Sequence, residues 1–238
     1  MNKVIQQAHE LFKKAGFDYA ICGGYALDMF AGKEIREHGD FDILVYREDK
    51  HRAVQFMIDM GWDVFGRFGE NGAVWQFLFY KVEDIKDSFW DACGGVWAIA
   101  PGCLPNVLAK IDRLQGGKHE VYTYKSRKWH VQDELEFIEI AFDGKDGNEY
   151  VASENPRITR LLDKTILYRD GVPYLAPEIV LYYKSGKGSM DSAYAKPRTI
   201  ADFEAVMPML SDESKKWLLE AIDTTWPDGY EWLDGLLS

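Results

Sequence analysis

Two aspartates separated by one residue, Asp40-Phe41-Asp42, open an apolar run that continues Ile43-Leu44-Val45-Tyr46. Its Ile, Val and Tyr favour extended chain, and alternate residues of a strand project from the same face. Both carboxylates therefore share a face, with Cα atoms about 6.5 Å apart from twice the strand rise. Like charges so placed repel unless a cation lies between them. Magnesium is the natural ion, being hard, oxygen-ligated and commonly held by one or two carboxylates together with substrate phosphates. The plain alternative is a pair of solvent-facing positions on a half-buried strand, since Asp is mostly exposed.

Upstream stands Cys22-Gly23-Gly24-Tyr25-Ala26-Leu27-Asp28. An apolar run from Tyr19 to Cys22 stops at the glycines and a periodic segment, Tyr25 to Ala31, follows, which predicts strand, tight turn and helix. Gly23 and Gly24 permit the turn and let a phosphate approach the backbone. A further acid lies far downstream in Phe137-Ile138-Glu139-Ile140-Ala141-Phe142. An ionised carboxylate in such a run is expensive to bury without a cation or hydrogen-bond donors. The alternative is an edge strand with Glu139 in water. Glu136 is an odd number of steps away and is expected on the opposite side of the strand.

Gly-Gly, a helix and then Asp-x-Asp on a strand resembles the signature of the nucleotidyltransferase fold of the DNA polymerase beta type. Within that superfamily Gly23-Gly24-Tyr25-Ala26-Leu27-Asp28, Gly32-Lys33, Arg36-Glu37-His38 and Asp40-Phe41-Asp42 look like the aminoglycoside and lincosamide nucleotidyltransferases, enzymes that move AMP from ATP onto a drug hydroxyl. Gly171-Val172-Pro173-Tyr174-Leu175-Ala176-Pro177-Glu178, Lys184 and Ala201-Asp202-Phe203 are similar to the C-terminal part of other relatives. The resemblance implies an α/β (α+β) fold, a mixed sheet flanked by helices with a helical C-terminal segment. It also implies a third metal carboxylate from a neighbouring strand, for which Glu139 is the candidate. It gives Arg36 and His38 active-site roles, Arg36 steadying a phosphate through its fork of donors and His38 orienting the loop or an aspartate. Relatives tend to carry Lys-Asp where this chain has Pro197-Arg198-Thr199-Ile200.

Composition limits the partners. The chain has 238 residues, 47% hydrophobic and 14% aromatic, enough for a full core. Acids outnumber bases 39 to 28, for a formal charge of −11, whereas a reader of nucleic acid normally clusters Lys and Arg. An acidic surface favours a cationic small acceptor by long-range attraction, although acidity also serves solubility alone. Between Tyr174 and Ser238 there are 11 acids and 6 bases, and Asp202 and Glu178 are expected to face such an acceptor. Cys22, Cys93 and Cys103 have no metal-type spacing and suit reduced thiols in a cytosol. With neither a signal segment nor a membrane span expected, the sequence predicts a cytoplasmic protein.

Apolar periodicity predicts helices over Val4–Ala15, Glu48–Met60, Pro177–Lys184, Ile200–Leu210 and Lys215–Ile222. Strands are expected over Phe17–Cys22, Phe41–Tyr46, Trp62–Phe65, Ala73–Val82 and Phe137–Phe142, with turns at 66–72, 116–117 and 143–144. Trp90, Trp97 and the run Val96–Ala100 read as packing elements or pocket lining. Residues 147–160 read as a loop dividing a nucleotidyltransferase domain, 1–160, from a mostly helical region, 161–238, that forms part of the acceptor cleft. Lys184 either complements the dipole of its helix or contacts nucleotide phosphates. Lys184-Ser185-Gly186-Lys187-Gly188-Ser189 lacks phosphate-loop spacing and reads as a connector. Trp226, Trp232 and Leu236 are expected to pin the end of the chain.

The reading is thus a transferase in which Asp40, Asp42 and Glu139 bind one or two magnesium ions and ATP or another nucleoside triphosphate donates to a small hydroxyl acceptor. Glu139 can double as the general base. Two alternatives stay open: modification of a protein or RNA partner, as antitoxin-type relatives perform, and a non-catalytic nucleotide-binding module.

Overall fold

The computed structural model describes residues 2–70, 73–79, 90, 93–103, 108–111, 121–124, 134–186 and 195–227. The expectations for 80–82, 116–117, 187–189, Trp232 and Leu236 lie outside them. By internal contacts the chain divides into two compact units, one made of residues 1–19 with 38–143, the other of 20–37 with 144–238. Each combines sheet and helix, and the α/β class with a mixed sheet and helical C-terminal segment holds. Among the described residues no helix is long and apolar enough to cross a membrane.

In the first unit, α1 (Lys3–Phe12) buries Val4, Ile5, Ala8 and Phe12 of the expected stripe Val4, Ile5, Ala8, Leu11 and Phe12, while Leu11 is only half-buried. Its N-terminus is capped by the Asn2 side chain, which accepts from the Val4 N–H at 2.8 Å. The helix α3 (Lys50–Asp59) buries Ala53, Val54 and Met57. The sheet of this unit runs β2 (Asp42–Tyr46), β8 (Phe137–Asp146), β5 (Gly95–Ile99), β3 (Asp63–Glu70), β4 (Ala73–Phe79). β2 and β8 are parallel, and the remaining pairs are antiparallel. β6 (Leu108–Ile111) and β7 (Val121–Tyr124) pair with each other as a two-stranded sheet among the described residues. From Ile43 to Tyr46 every residue of β2 is buried, which is how a parallel strand covered on both faces reads.

Two expectations in this unit need correction. β3 does not stop at Phe65 but runs through Gly66 and Gly69 to Glu70, because it pairs with β4 as far as Glu70 and with β5 as far as Arg67. These ladders of backbone hydrogen bonds, double at Gly66 and single at Gly69, outweigh the turn preference of the glycines. β8 likewise continues past Asp143-Gly144 to Asp146, where a second antiparallel partner takes over: Gly144, Lys145 and Asp146 pair with β9 (Glu149–Val151).

The second unit contains β1 (Tyr19–Cys22) from Ala20 onward, parallel to β12 (Val172–Leu175), with Ile21 opposite Tyr174. β12 pairs in turn with β11 (Ile166–Arg169). β10 (Thr159–Leu161) pairs with β9, so the expected loop at 147–160 contains strand at both ends. Among the described residues four α-helices complete the unit: α2 (Gly23–Ala31), α4 (Pro177–Lys184), α5 (Ala195–Val206) and α6 (Asp212–Thr225). α4 packs against α2, α5 and α6, and its residues from Pro177 to Tyr182 are all buried. Buried along most of its length, with its one acid, Glu178, enclosed as well, it is the core helix of the unit.

Candidate active site

The acidic face of the first unit is built by register. Asp42 begins β2 and stands opposite Glu139 on β8. The pairing extends one residue further back, since the Glu139 N–H donates to the Phe41 carbonyl at 2.8 Å. Partners in neighbouring strands point to the same face, so the two carboxylates rise side by side from strands about 4.8 Å apart. Both are half-buried, while Ile43, Ile138 and Ile140 beside them are fully buried and fix the register. Asp40 lies two residues ahead of the strand and is exposed; Phe41 between the aspartates is wholly buried.

Glu139 has a further neighbour. Trp97 stands opposite it on β5, and the indole N–H donates to Glu139 Oε2 at 3.2 Å. Glu136, the competing acid, precedes β8, and its carbonyl accepts from the Ala100 N–H at 2.9 Å. His38, two residues ahead of Asp40, is buried rather than solvent-facing.

Among the described residues, no three His, Cys, Asp or Glu side chains are gathered closely enough to hold a metal ion by themselves. The donor set does suit magnesium, which ordinarily takes one or two carboxylates and completes its shell with water and substrate phosphate. Asp42 and Glu139 fit that requirement, as adjacent hard oxygen donors on two rigid strands.

In the second unit the double glycine opens α2 itself, two residues before the predicted start. Gly23 has φ of 62°, and Cys22 at the N-cap offers no side-chain hydrogen bond to the first turn. The leading N–H groups of a helix need partners. Five residues on, the Asp28 carboxylate accepts from the Ile35 N–H at 2.8 Å and shapes the polar loop that carries Arg36.

Arg36 and Lys184 meet on one carboxylate. Arg36 donates from Nε and Nη2 to the two oxygens of Asp202, each at 2.9 Å, and Lys184 Nζ lies 3.0 Å from Asp202 Oδ2. The Asp202 side chain is fully buried, whereas Arg36 and Lys184 retain 17% and 20% exposure. Burial pushes the Asp202 carboxyl up, but the hydrogen bonds from Arg36 and the charges of Lys184 and Arg36 prevail and hold it below its ordinary value. Two cations against one anion leave the cluster with a net positive charge.

This arrangement overturns the expectation that Asp202 and Glu178 face a cationic acceptor. Glu178 is also buried, in an ion pair with Arg160, and accepts from the Ser214 hydroxyl at 2.9 Å. The Arg160 guanidinium stacks 5.1 Å from the Trp217 ring centre. Both acids are matched by cations of the chain itself. The sequence pattern missed these pairs because their partners lie far apart along the chain, and it passed over Trp97 because an indole in an apolar run reads as packing.

No curated protein matches the chain by sequence. Among solved structures it is similar to the antibiotic-resistance factor ANT(2'')-Ia in solution, at 12% identity, with 94% of this chain and 92% of that one covered and a TM-score of 0.47. It is also similar to the lincosamide antibiotic adenylyltransferase LnuA in its lincomycin-bound form, at 16% identity, 85% and 95% coverage and a TM-score of 0.45. Residues 4–65, the stretch that carries the double glycine, Arg36, His38 and the paired aspartates, match the family model described as aminoglycoside-2''-adenylyltransferase, and it is this family that the N-terminal part of the chain resembles.

Proposed function

We propose that the protein is a magnesium-dependent nucleotidyltransferase that moves AMP from ATP to a hydroxyl of a small molecule of the aminoglycoside kind. The observation that carries this reading is the register of β2 and β8, which sets Asp42 and Glu139 side by side. The match of residues 4–65 to an aminoglycoside adenylyltransferase family supports it.

In this reading Asp42 and Glu139, with Asp40, hold the metal. When bound, the ion supplies positive charge against the triphosphate and the departing pyrophosphate. The N–H groups at Gly23 and Gly24 accommodate phosphate oxygens, as a helix N-terminus without a side-chain cap can do. Arg36 and Lys184, with net positive charge on their cluster, serve the same anion, and His38 braces the chain leading into Asp40. The acceptor oxygen attacks the α-phosphorus in line. The bond to the bridging oxygen breaks, and pyrophosphate leaves with its electron pair. The acceptor proton passes to a carboxylate oxygen of Glu139 and on to solvent. Region 161–238 contributes to acceptor binding, and the net charge of −11 favours a polycation.

The test incubates the protein with each labelled nucleoside triphosphate, magnesium and a panel of aminoglycosides and lincosamides, following pyrophosphate and modified acceptor. Transfer of AMP that needs magnesium and disappears in Asp42→Asn is the expected result. Nucleotide binding without turnover on any acceptor, unaltered by Asp42→Asn, would overturn it in favour of a binding module.

A further inference from the structure

We propose that Trp97 is a positioning residue for Glu139: its indole N–H selects the rotamer in which the Glu139 carboxylate stands beside Asp42. The inference rests on the reading of Glu139 given above. Asp42, Glu139, Trp97 and Phe65 occupy one continuous row across β2, β8, β5 and β3, so their side chains rise from the same face. Within that row the acids differ in reach. Asp42 has a short side chain whose carboxylate is placed almost entirely by the strand. Glu139 has one more methylene and one more rotatable bond, so the strand by itself fixes its carboxylate less closely, and side-chain contacts must complete its placement.

The indole limits that swing. It is a donor only, and it meets Glu139 Oε2 at 3.2 Å. The ring is itself fixed edge-on to Phe137, with centres 5.5 Å apart and planes inclined by 69°, and Phe137 is buried. The backbone prepares the contact as well. A Cβ on Gly95 would come within 2.9 Å of the Ile140 carbonyl oxygen, so only glycine lets β5 lie this close to β8 two residues before Trp97. A hydrogen-bond donor that orients a metal-binding carboxylate typically matters by about 10- to 100-fold in metal affinity or activity.

Trp97→Phe keeps the ring against Phe137 and removes the donor. Manganese binding, followed by electron paramagnetic resonance in the presence of a non-hydrolysable ATP analogue, is expected to weaken by about 10-fold or more, the lower bound for such a contact. The turnover number falls with it, while KM for acceptor and nucleotide stays unchanged. Wild-type manganese affinity and turnover in Trp97→Phe would overturn the proposal, as would a raised acceptor KM at constant turnover, which marks a substrate contact. A second measurement does not depend on the folding of that variant. The nuclear magnetic resonance signal of the Trp97 indole proton is expected to move upfield in Glu139→Gln, because a neutral amide is a weaker acceptor than a carboxylate, and an unmoved signal counts against the contact. Normal AMP transfer by Glu139→Gln would refute the assignment of Glu139 itself, separately from the role of Trp97.

Discussion

The two units treat their acids in opposite ways. In the second, Asp202 and Glu178 are buried and each is met by cations of the chain, Arg36 with Lys184 in one case and Arg160 in the other. In the first, Asp42 and Glu139 are half-buried and stand next to each other, carboxylate beside carboxylate. A carboxylate enclosed by the protein's own cations contributes to holding helices together and offers little to a ligand. Like charges at directly opposite sheet positions work against folding, and such an arrangement gains from a cation supplied from outside. Acidity alone is therefore a poor guide to a site: Asp202 and Glu178 are enclosed by cations, whereas Asp42 and Glu139 stand acid opposite acid on neighbouring strands.

The contrast can be broken by substitution. The largest effect is expected at Glu178→Ala, which leaves the Arg160 guanidinium buried without its carboxylate. Removing one partner of a buried pair costs about 3–5 kcal/mol, and denaturant unfolding should register a loss near the middle of that range. Asp202→Asn is expected to cost about 3 kcal/mol, the low end, because Arg36 and Lys184 keep some access to water. A variant as stable as the parent at either position would dissolve the distinction between the units.

Asp42→Asn should behave in the opposite sense. AMP transfer falls about 10²-fold, the loss associated with one strong electrostatic contact, while the unfolding midpoint stays level or rises as repulsion with Glu139 is relieved. A clear fall in stability would place Asp42 with the structural acids instead. The control is Glu136→Gln, expected to leave transfer unchanged and stability within about 0.5 kcal/mol, as for most surface changes. Strong loss of transfer there would shift the register argument from Glu139 to Glu136.

Acid sharpens the same comparison. The Asp202 carboxyl is held low in the folded chain, and an unfolded Asp titrates near about 3.9. Its contribution to stability is thus complete above about pH 4 and is lost as pH falls through the lower folded value. Unfolding free energy measured from pH 6 downward should drop more steeply in the parent than in Asp202→Asn. Parallel curves would show that the cluster is not the acid-sensitive tie.

The legible parts of the chain were those in which a local pattern and its partner lie close in sequence. The stripe Val4, Ile5, Ala8, Leu11, Phe12 and the apolar β2 run each announce one element, and the embedded acid at Glu139 signalled a strand position that needed explanation. The hairpin of β11 and β12 was also there to read. Asp170-Gly171 sits between two apolar runs, and its residues adopt φ of 52° and 80°, the left-handed pair that such a two-residue turn requires. What could not be read was partnership at long range. Nothing near Arg36 indicates Asp202, and nothing near Glu139 indicates Trp97. The extension of β3 through two glycines was hidden for the same reason, since its support comes from pairing with β4 throughout and with β5 as far as Arg67.

The division of the chain into interleaved units bears on how the protein is made. Residues 20–37 belong with 144–238 and are inserted between two segments of the other unit, so the polypeptide enters the second unit, leaves it, and returns only much later. No cut at a single position can release either unit intact. On a ribosome adding about 5–20 residues per second, the roughly 150 residues separating Ile21 from its partner Tyr174 take about 8–30 s to appear. During that interval β1 lacks its parallel partner β12 and α2 lacks the helices α4 and α5 that pack on it, and the apolar side chains that meet them are open to chaperones or to premature pairing. Glu139 likewise emerges long after Asp42, so the acidic pair is completed only late in synthesis.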